Sequence, residues 1–329
     1  MSMKPRRHSM QHCVLLSALA AVSPWSAGAQ SYPVKPVRLI IPFPPGGPMD
    51  IVGRMVSSGL SEAWGGVPMI ADNRAGAGGN IGTEQCAKAA PDGYTMCILA
   101  VSQAVSPAIY AKPGFDPVKD FSHITLIATL PSLLLVHPSL PVNNVKELIA
   151  LAKANPGALS YSSAGNGTSS HMLMELLKIE SGVNFAHVPY KGQAPALTDQ
   201  MSGRIDMIFS SILTALPYVK ASRTRAIAVS TKLRFAQLPN VPTVDESGIK
   251  GFDGGSWAGV GMPLGASRHT INKVNADVTK ILKSAGMKEK ILAMGGIPVS
   301  DSPIDFATFM KSEVEKWARV VKAAGIQAD

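Results

Sequence analysis

Three observations predict an α/β fold of two lobes, each a mostly parallel sheet flanked by helices. Short β-branched runs alternate with helical periodicity, which argues for parallel strands covered by helices. About 300 residues follow a leader-like N-terminus, more than one hydrophobic core comfortably holds. Two glycine-rich loops, Phe43-Pro44-Pro45-Gly46-Gly47-Pro48-Met49-Asp50 and Ser163-Ala164-Gly165-Asn166-Gly167-Thr168, each join a strand-like run to a helix-like run and carry no basic side chain.

The leader is read separately. Lys4, Arg6 and Arg7 precede a short apolar core at 14–22, and Ala27-Gly28-Ala29 forms a small-residue cleavage pattern before Gln30. Residues 1–29 are therefore expected to be a cleaved secretory signal peptide. Its apolar core is too short to span a bilayer. Losing Lys4, Arg6 and Arg7 lowers the formal charge from +9 to +6. A positive balance suits anionic ligands. Nucleic acid fits poorly, because the basic residues are scattered and aromatics are sparse.

In the mature chain, 37–43 reads as a strand. The segment 48–64 reads as a helix with Pro48 at its start and Ile51, Val52, Met55, Val56 and Leu60 on one face. Strand 69–72, helix 80–89 and strand 94–100 follow. Strands 123–128 and 133–136 are separated by Pro131. Asn144, with Glu147 three residues on, opens a helix that stops at Asn155-Pro156-Gly157. The pattern then repeats as strand 159–162, helix 169–180, strand 183–188, helix 195–202, strand 205–209, helix 212–221 and strand 226–230. Strand 256–262 and helices at 271–285 and 303–324 close the chain, with Ser302 and Asp305 as cap residues of the last. Pro131 and 251–255 are the two places for the chain to cross between lobes. That divides it into 30–130 with 256–329 as lobe 1, and 131–255 as lobe 2.

Only Cys86 and Cys97 remain after the leader. They read as two buried thiols, with a disulfide the alternative in an oxidising compartment. His123, His137, His171, His187 and His269 are scattered without metal-ligand spacing, so no metal is expected. Ala75-Gly76-Ala77-Gly78-Gly79-Asn80 is neither a dinucleotide fingerprint nor a P-loop, and no cofactor is expected. Ser163 fails the G-x-S-x-G elbow pattern. His171 falls one turn inside the following helix and reads as a packed, hydrogen-bonded residue rather than a general base.

Glycine-rich turns at a helix start present bare N–H groups to anions. Pro44-Pro45-Gly46-Gly47 is either such a nest or a plain tight turn. Asp50 is either a helix cap or a ligand contact. Tyr190 can wall a pocket, and Lys191 either supplies a charge or is a solvated loop lysine.

These loops, in this order, resemble the Bug-type receptors of tripartite tricarboxylate transporters. The resemblance runs over essentially the whole mature chain. It is carried by Tyr32-Pro33-Val34-Lys35-Pro36-Val37-Arg38 with Pro42–Gly47 and Asp50, Asn73-Arg74-Ala75-Gly76-Ala77-Gly78-Gly79, and Pro91-Asp92-Gly93-Tyr94-Thr95. Phe115-Asp116-Pro117-Val118-Lys119-Asp120-Phe121, the 163–171 and 187–192 loops, Val241-Pro242-Thr243-Val244-Asp245-Glu246-Ser247-Gly248, Trp257 and Trp317 complete it.

The resemblance implies a two-lobed periplasmic-binding-protein fold of the Venus-flytrap, type II-like kind. It also implies a monomeric, non-enzymatic receptor that captures a small carboxylate for a membrane permease of two subunits. The carboxylate is expected to be a di- or tricarboxylate, an acidic amino acid or an aromatic acid. The implied ligand-binding residues are Phe43, Pro45, Gly46, Gly47, Met49, Asp50, Gly78, Gly79, Asn80, Ser102, Gln103, Ala164, Gly165, Asn166, Thr168, His171, Tyr190, Lys191 and Gly192.

The chain departs from the family pattern at Met49, where a hydroxyl residue is common. It also departs at Ala75 and at Gly265-Ala266-Ser267-Arg268. Two other readings stand beside this one: a sensory receptor for a membrane kinase, and a secreted hydrolase using Ser163 or Ser169 with His171.

Overall fold

The computed structural model describes residues 1–4 and 32–326. The expected cleavage site and apolar leader lie outside the described residues. From Pro33 the chain forms one unit. β1 (Val37–Ile41), α1 (Pro48–Ala63), β2 (Met69–Asn73), α2 (Asn80–Ala87), β3 (Thr95–Leu99), α3 (Val101–Ile109) and β4 (Phe121–Leu130) come first. Next come β5 (Ser132–Val136), α4 (Val145–Ala154), β6 (Ser160–Ser163), α5 (Ser169–Ser181), β7 (Ala186–Pro189), α6 (Gln193–Met201), β8 (Met207–Ser211), α7 (Ile212–Lys220) and β9 (Arg225–Val229). β10 (Ser256–Pro263), α8 (Arg268–Lys283), α9 (Ala285–Ala293), β11 (Ile297–Pro298) and α10 (Pro303–Ala324) end the chain.

The strands form two sheets, in the orders β11-β4-β10-β3-β1-β2 and β7-β6-β8-β5-β9. Pro131 alone separates β4 in the first sheet from β5 in the second. The α/β class is as expected, but the pairing is mixed rather than mostly parallel. β1 runs parallel to β2 and β3, and β6 to β7 and β8. β10 runs antiparallel to β3 and β4, and β5 to β8 and β9. A parallel neighbour needs a crossover helix before it. β5 and β10 are reached directly from the other sheet, so they enter in the reverse sense.

Both faces of β5 are covered. Leu134 and Val136 belong to a core that also holds Ile40, Leu99, Phe209, Trp257 and Trp317, whereas Leu133 and Leu135 join Ile208, Ile212 and Val229. That alternation is the period-two signature of a strand buried on two sides. α10 starts with a reciprocal cap between Ser302 and Asp305 and packs against α3 and α5. The expectation of two free thiols is corrected. Cys86 on α2 and Cys97 on β3 are joined in a disulfide, because α2 lies back along the sheet with the two Cα atoms 6.1 Å apart.

α3 was not expected from the sequence. Val101, Ala104, Val105 and Ile109 have helical spacing, but Pro107 lies inside the helix and masks the signal.

Candidate functional site

The first cradle begins where β1 ends and α1 starts at Pro48. Gly46 takes a left-handed φ of +77°, a conformation open to glycine at no steric cost. Its N–H donates to Asp50 Oδ2 at 2.9 Å. Arg54 Nε and Asn73 Nδ2 donate to Asp50 Oδ1, and Asn73 also reaches the Phe43 carbonyl. Asp50 is buried, and its carboxylate braces the loop from behind. Burial pushes its pKa up, but the hydrogen bonds from Arg54, Gly46 and Asn73 outweigh this and hold it below the usual carboxylate range.

Gln103 and Asn80 are buried braces of the same kind. Gln103 accepts the Ala100 N–H and donates to Thr83, and Asn80 accepts from Ser106. Gly79 lies against Gln103, where a Cβ would meet Nε2 at 2.8 Å.

In the second sheet, the loop after β6 leads into α5. The Thr168 hydroxyl donates to the Gly165 carbonyl at 2.7 Å, and the Ala164 N–H donates to Ser170 Oγ at 2.9 Å. The Gly167 N–H donates to His171 Nδ1 at 3.1 Å. Ser163 Oγ lies 2.7 Å from His187 Nε2. Glu175 accepts from Tyr161 at 2.5 Å and from Lys178 at 2.8 Å beside the histidines. Burial, reinforced by Lys178, pushes His171 down to about 4. Tyr190 is turned away, its hydroxyl donating to Asp199 at 2.7 Å.

One cavity of about 250 Å³ gathers these loops from both sheets. Phe43, Pro45, Gly46, Gly47 and Met49 line it on one side. Ser102, Ala164, Thr168, Lys191 and Gly192 line it as well. Asp50, Gly78, Gly79, Asn80, Gln103, Gly165 and Tyr190 do not line this cavity. Asn166 and His171 border a different one of about 350 Å³, with Glu175, Lys178 and His187. Sequence reasoning missed Gln193, Ser211, Thr214 and Ser256 on the lining. Ser211 ends β8 just before α7 and Gln193 opens α6, and such strand-to-helix junctions are the signal that could have found them.

The N-termini of α1 and α3 from the first sheet meet those of α5, α6 and α7 from the second around this cavity. Each brings its positive dipole end, where first-turn N–H groups have no partner within the helix ladder, to one place. Ser102 and Ser211 are buried, and their hydroxyls have no hydrogen-bond partner in the protein; neither has the Gln193 amide nitrogen. Lys191 is the one ionisable side chain among the lining residues. The arrangement is suited to an anion held by neutral donors.

Comparison with known proteins shows the family and the fold. Residues 52–326 match the family model of the tripartite tricarboxylate transporter family receptor. The chain is 36% identical over 312 residues to the UPF0065 protein in the tcbD-tcbE intergenic region of Pseudomonas sp. (strain P51), covering 94% of this chain and 93% of that one. Among solved structures, R. palustris Rpa4515 with adipate superposes with a TM-score of 0.86 at 34% identity, covering 90% of this chain and 100% of that chain. The periplasmic binding protein BugD gives 0.84 at 32%, with coverages of 90% and 100%. MatC (Rpa3494) from Rhodopseudomonas palustris with bound malate gives 0.82 at 28%, with 88% and 100%. The chain belongs to the tripartite tricarboxylate transporter receptor family, with the α/β fold of that family's periplasmic solute-binding proteins.

Proposed function

We propose that this chain captures a small carboxylate in the periplasm, without turning it over, and presents it to a membrane permease of two subunits. The observation that carries the reading is the convergence of five helix N-termini from both sheets on one cavity. The adipate and malate bound by the two relatives support the ligand class. Among the described residues no helix is long and apolar enough to cross a membrane. The N-terminal 1–29 segment is the export signal in this reading.

The protein works as a monomer whose lobes, 30–130 with 256–329 and 131–255, hinge at Pro131 and 251–255. The ligand favours the closed form, and water-free hydrogen bonds strengthen its grip. Reversible delivery calls for affinity near the micromolar range, about −8 kcal/mol.

The test places a new carboxylate in the cavity. At an effective dielectric near 20, like charges ~4 Å apart repel by about 4 kcal/mol, roughly a thousandfold in affinity. Ala164→Asp is therefore expected to abolish binding of the best acid in a calorimetric screen. Lys191→Ala, which removes one loop charge, is expected to cost about 1 kcal/mol or less. The reverse order would show a salt-bridge site and refute the helix-terminus account. NMR of that acid incubated with the protein is expected to show it unchanged.

A further inference from the structure

A receptor for acids must still choose among them, and the walls of this cavity are informative. Phe43, Pro44, Pro45, Met49, Val101 and Pro195 present hydrocarbon to its interior. Met49 is 6% exposed and Val101 1%. Apart from Lys191, its polar side chains are neutral. The Ser102 and Ser211 hydroxyls and the Gln193 amide nitrogen are buried lining groups without a protein partner, and Thr168, Ser169, Thr214 and Ser256 add hydroxyls to the same lining. The two serines are 5% and 6% exposed. Asp50, the carboxylate nearest in sequence, is consumed by Gly46, Arg54 and Asn73.

Resting on the receptor reading above, we infer that the preferred ligand is a carboxylate with an uninterrupted hydrocarbon body, an aromatic ring or an unbranched methylene chain, and that Met49 sets this preference.

A carboxylate offers two oxygens with about four lone-pair sites. The two hydroxyls, the amide and the helix N-termini satisfy these without a counter-ion. Lys191 can neutralise one further charge. A tricarboxylate brings more buried charge than one lysine balances, and an unpaired buried charge is strongly disfavoured. Hydroxyl groups on the ligand body lose their water wherever they lie against the proline, methionine and valine side chains. Methylene or ring carbons gain from the same walls. Met49 matters most because its flexible thioether packs closely around apolar shapes, whereas a hydroxyl residue there would favour an oxygenated body.

Calorimetric titration with benzoate, adipate, malate and citrate tests the assignment. The tighter of benzoate and adipate is expected to bind at least about tenfold more strongly than malate or citrate. Met49→Ser is expected to weaken the hydrocarbon acid about fivefold or more and narrow its lead over malate, with Met49→Leu restoring it. Val101→Thr, nearly the same shape, gives a second reading should Met49→Ser fail to fold.

Equal or tighter binding of malate or citrate overturns this inference and leaves the receptor reading intact. Binding of none of the four overturns this inference, and the wider acid screen above then decides the receptor reading. An unchanged preference in a folded Met49→Ser protein removes Met49 from its assigned role.

Discussion

The imidazoles of His171 and His187 lie stacked, with ring centroids 4.1 Å apart and planes 7° apart, behind the loop that carries Ala164 and Thr168. Each ring holds that loop by one hydrogen bond, His171 to the Gly167 N–H and His187 to Ser163. His171 must be unprotonated at Nδ1 to accept, and burial, with the positive charge of Lys178 nearby, keeps it so.

The consequence is a pH dependence of stability. His171 is pushed from its ordinary value down to about 4 by burial and then by Lys178. The unfolded chain therefore binds this proton first, near pH 6.5. Stability is full above that pH and falls as pH drops toward the folded value, by about 2 kcal/mol at pH 5. His123, lowered by burial, adds in the same direction. NMR titration of the His171 ring checks the assignment; a midpoint near 6.5 in the folded protein would contradict it.

Glu313 on α10 accepts from both Trp257 Nε1 at 2.8 Å and Trp317 Nε1 at 2.9 Å. This ties the last helix to β10. Glu313→Leu leaves two buried indole N–H groups unpartnered and is expected to cost roughly 2–4 kcal/mol. Glu313→Gln keeps an acceptor and is expected to cost less. Urea unfolding followed by tryptophan fluorescence ranks the two.

The Cys86–Cys97 disulfide closes a loop with a sequence separation of 11. Loop-closure entropy for a ring of this size amounts to ~3 kcal/mol. A Cys86→Ala, Cys97→Ala double variant is expected to unfold at lower denaturant by about that amount, and reductant is expected to shift the wild type but not the variant. Equal stability of wild type and variant would show that the bridge is energetically idle.

Gly78 and Asn166 meet across the two sheets' loops. A Cβ on Gly78 would lie 2.9 Å from the Asn166 carbonyl oxygen, at a φ of +64°. Gly78→Ala adds strain of roughly 1–2 kcal/mol and presses the loops apart. Ligand affinity is expected to fall about tenfold, measured by calorimetry beside a thermal melt. Full affinity in the folded variant would show that this approach is dispensable for binding.

Local pattern made much of the architecture legible. Alternating strand and helix signals, the capped start of α10 and the crossing at Pro131 are written in periodicity, Ser302 and Asp305, and proline. α3 escaped because Pro107 argues against a helix, and propensity yields to the packing of Val101, Val105 and Ile109 in the core.

What the sequence by itself determined is the class of fold, the two glycine-rich loops and the lack of basic side chains within them, since these follow from short-range rules of backbone and side chain. Only the tertiary structure decided which way each side chain turns. Asp50, Gln103 and Asn80 stand in the first turns of helices, in segments that read as lining, yet they face inward, because the N–H groups of Gly46 and Ala100 and the Ser106 hydroxyl there find their partners in them. Ser211 and Gln193 lie outside the two glycine-rich loops, yet they reach the cavity, because β7 and β8 flank β6, whose following loop opens α5. The neighbours that consume or spare a polar group are distant in sequence, so packing alone selects which hydroxyls remain for a ligand.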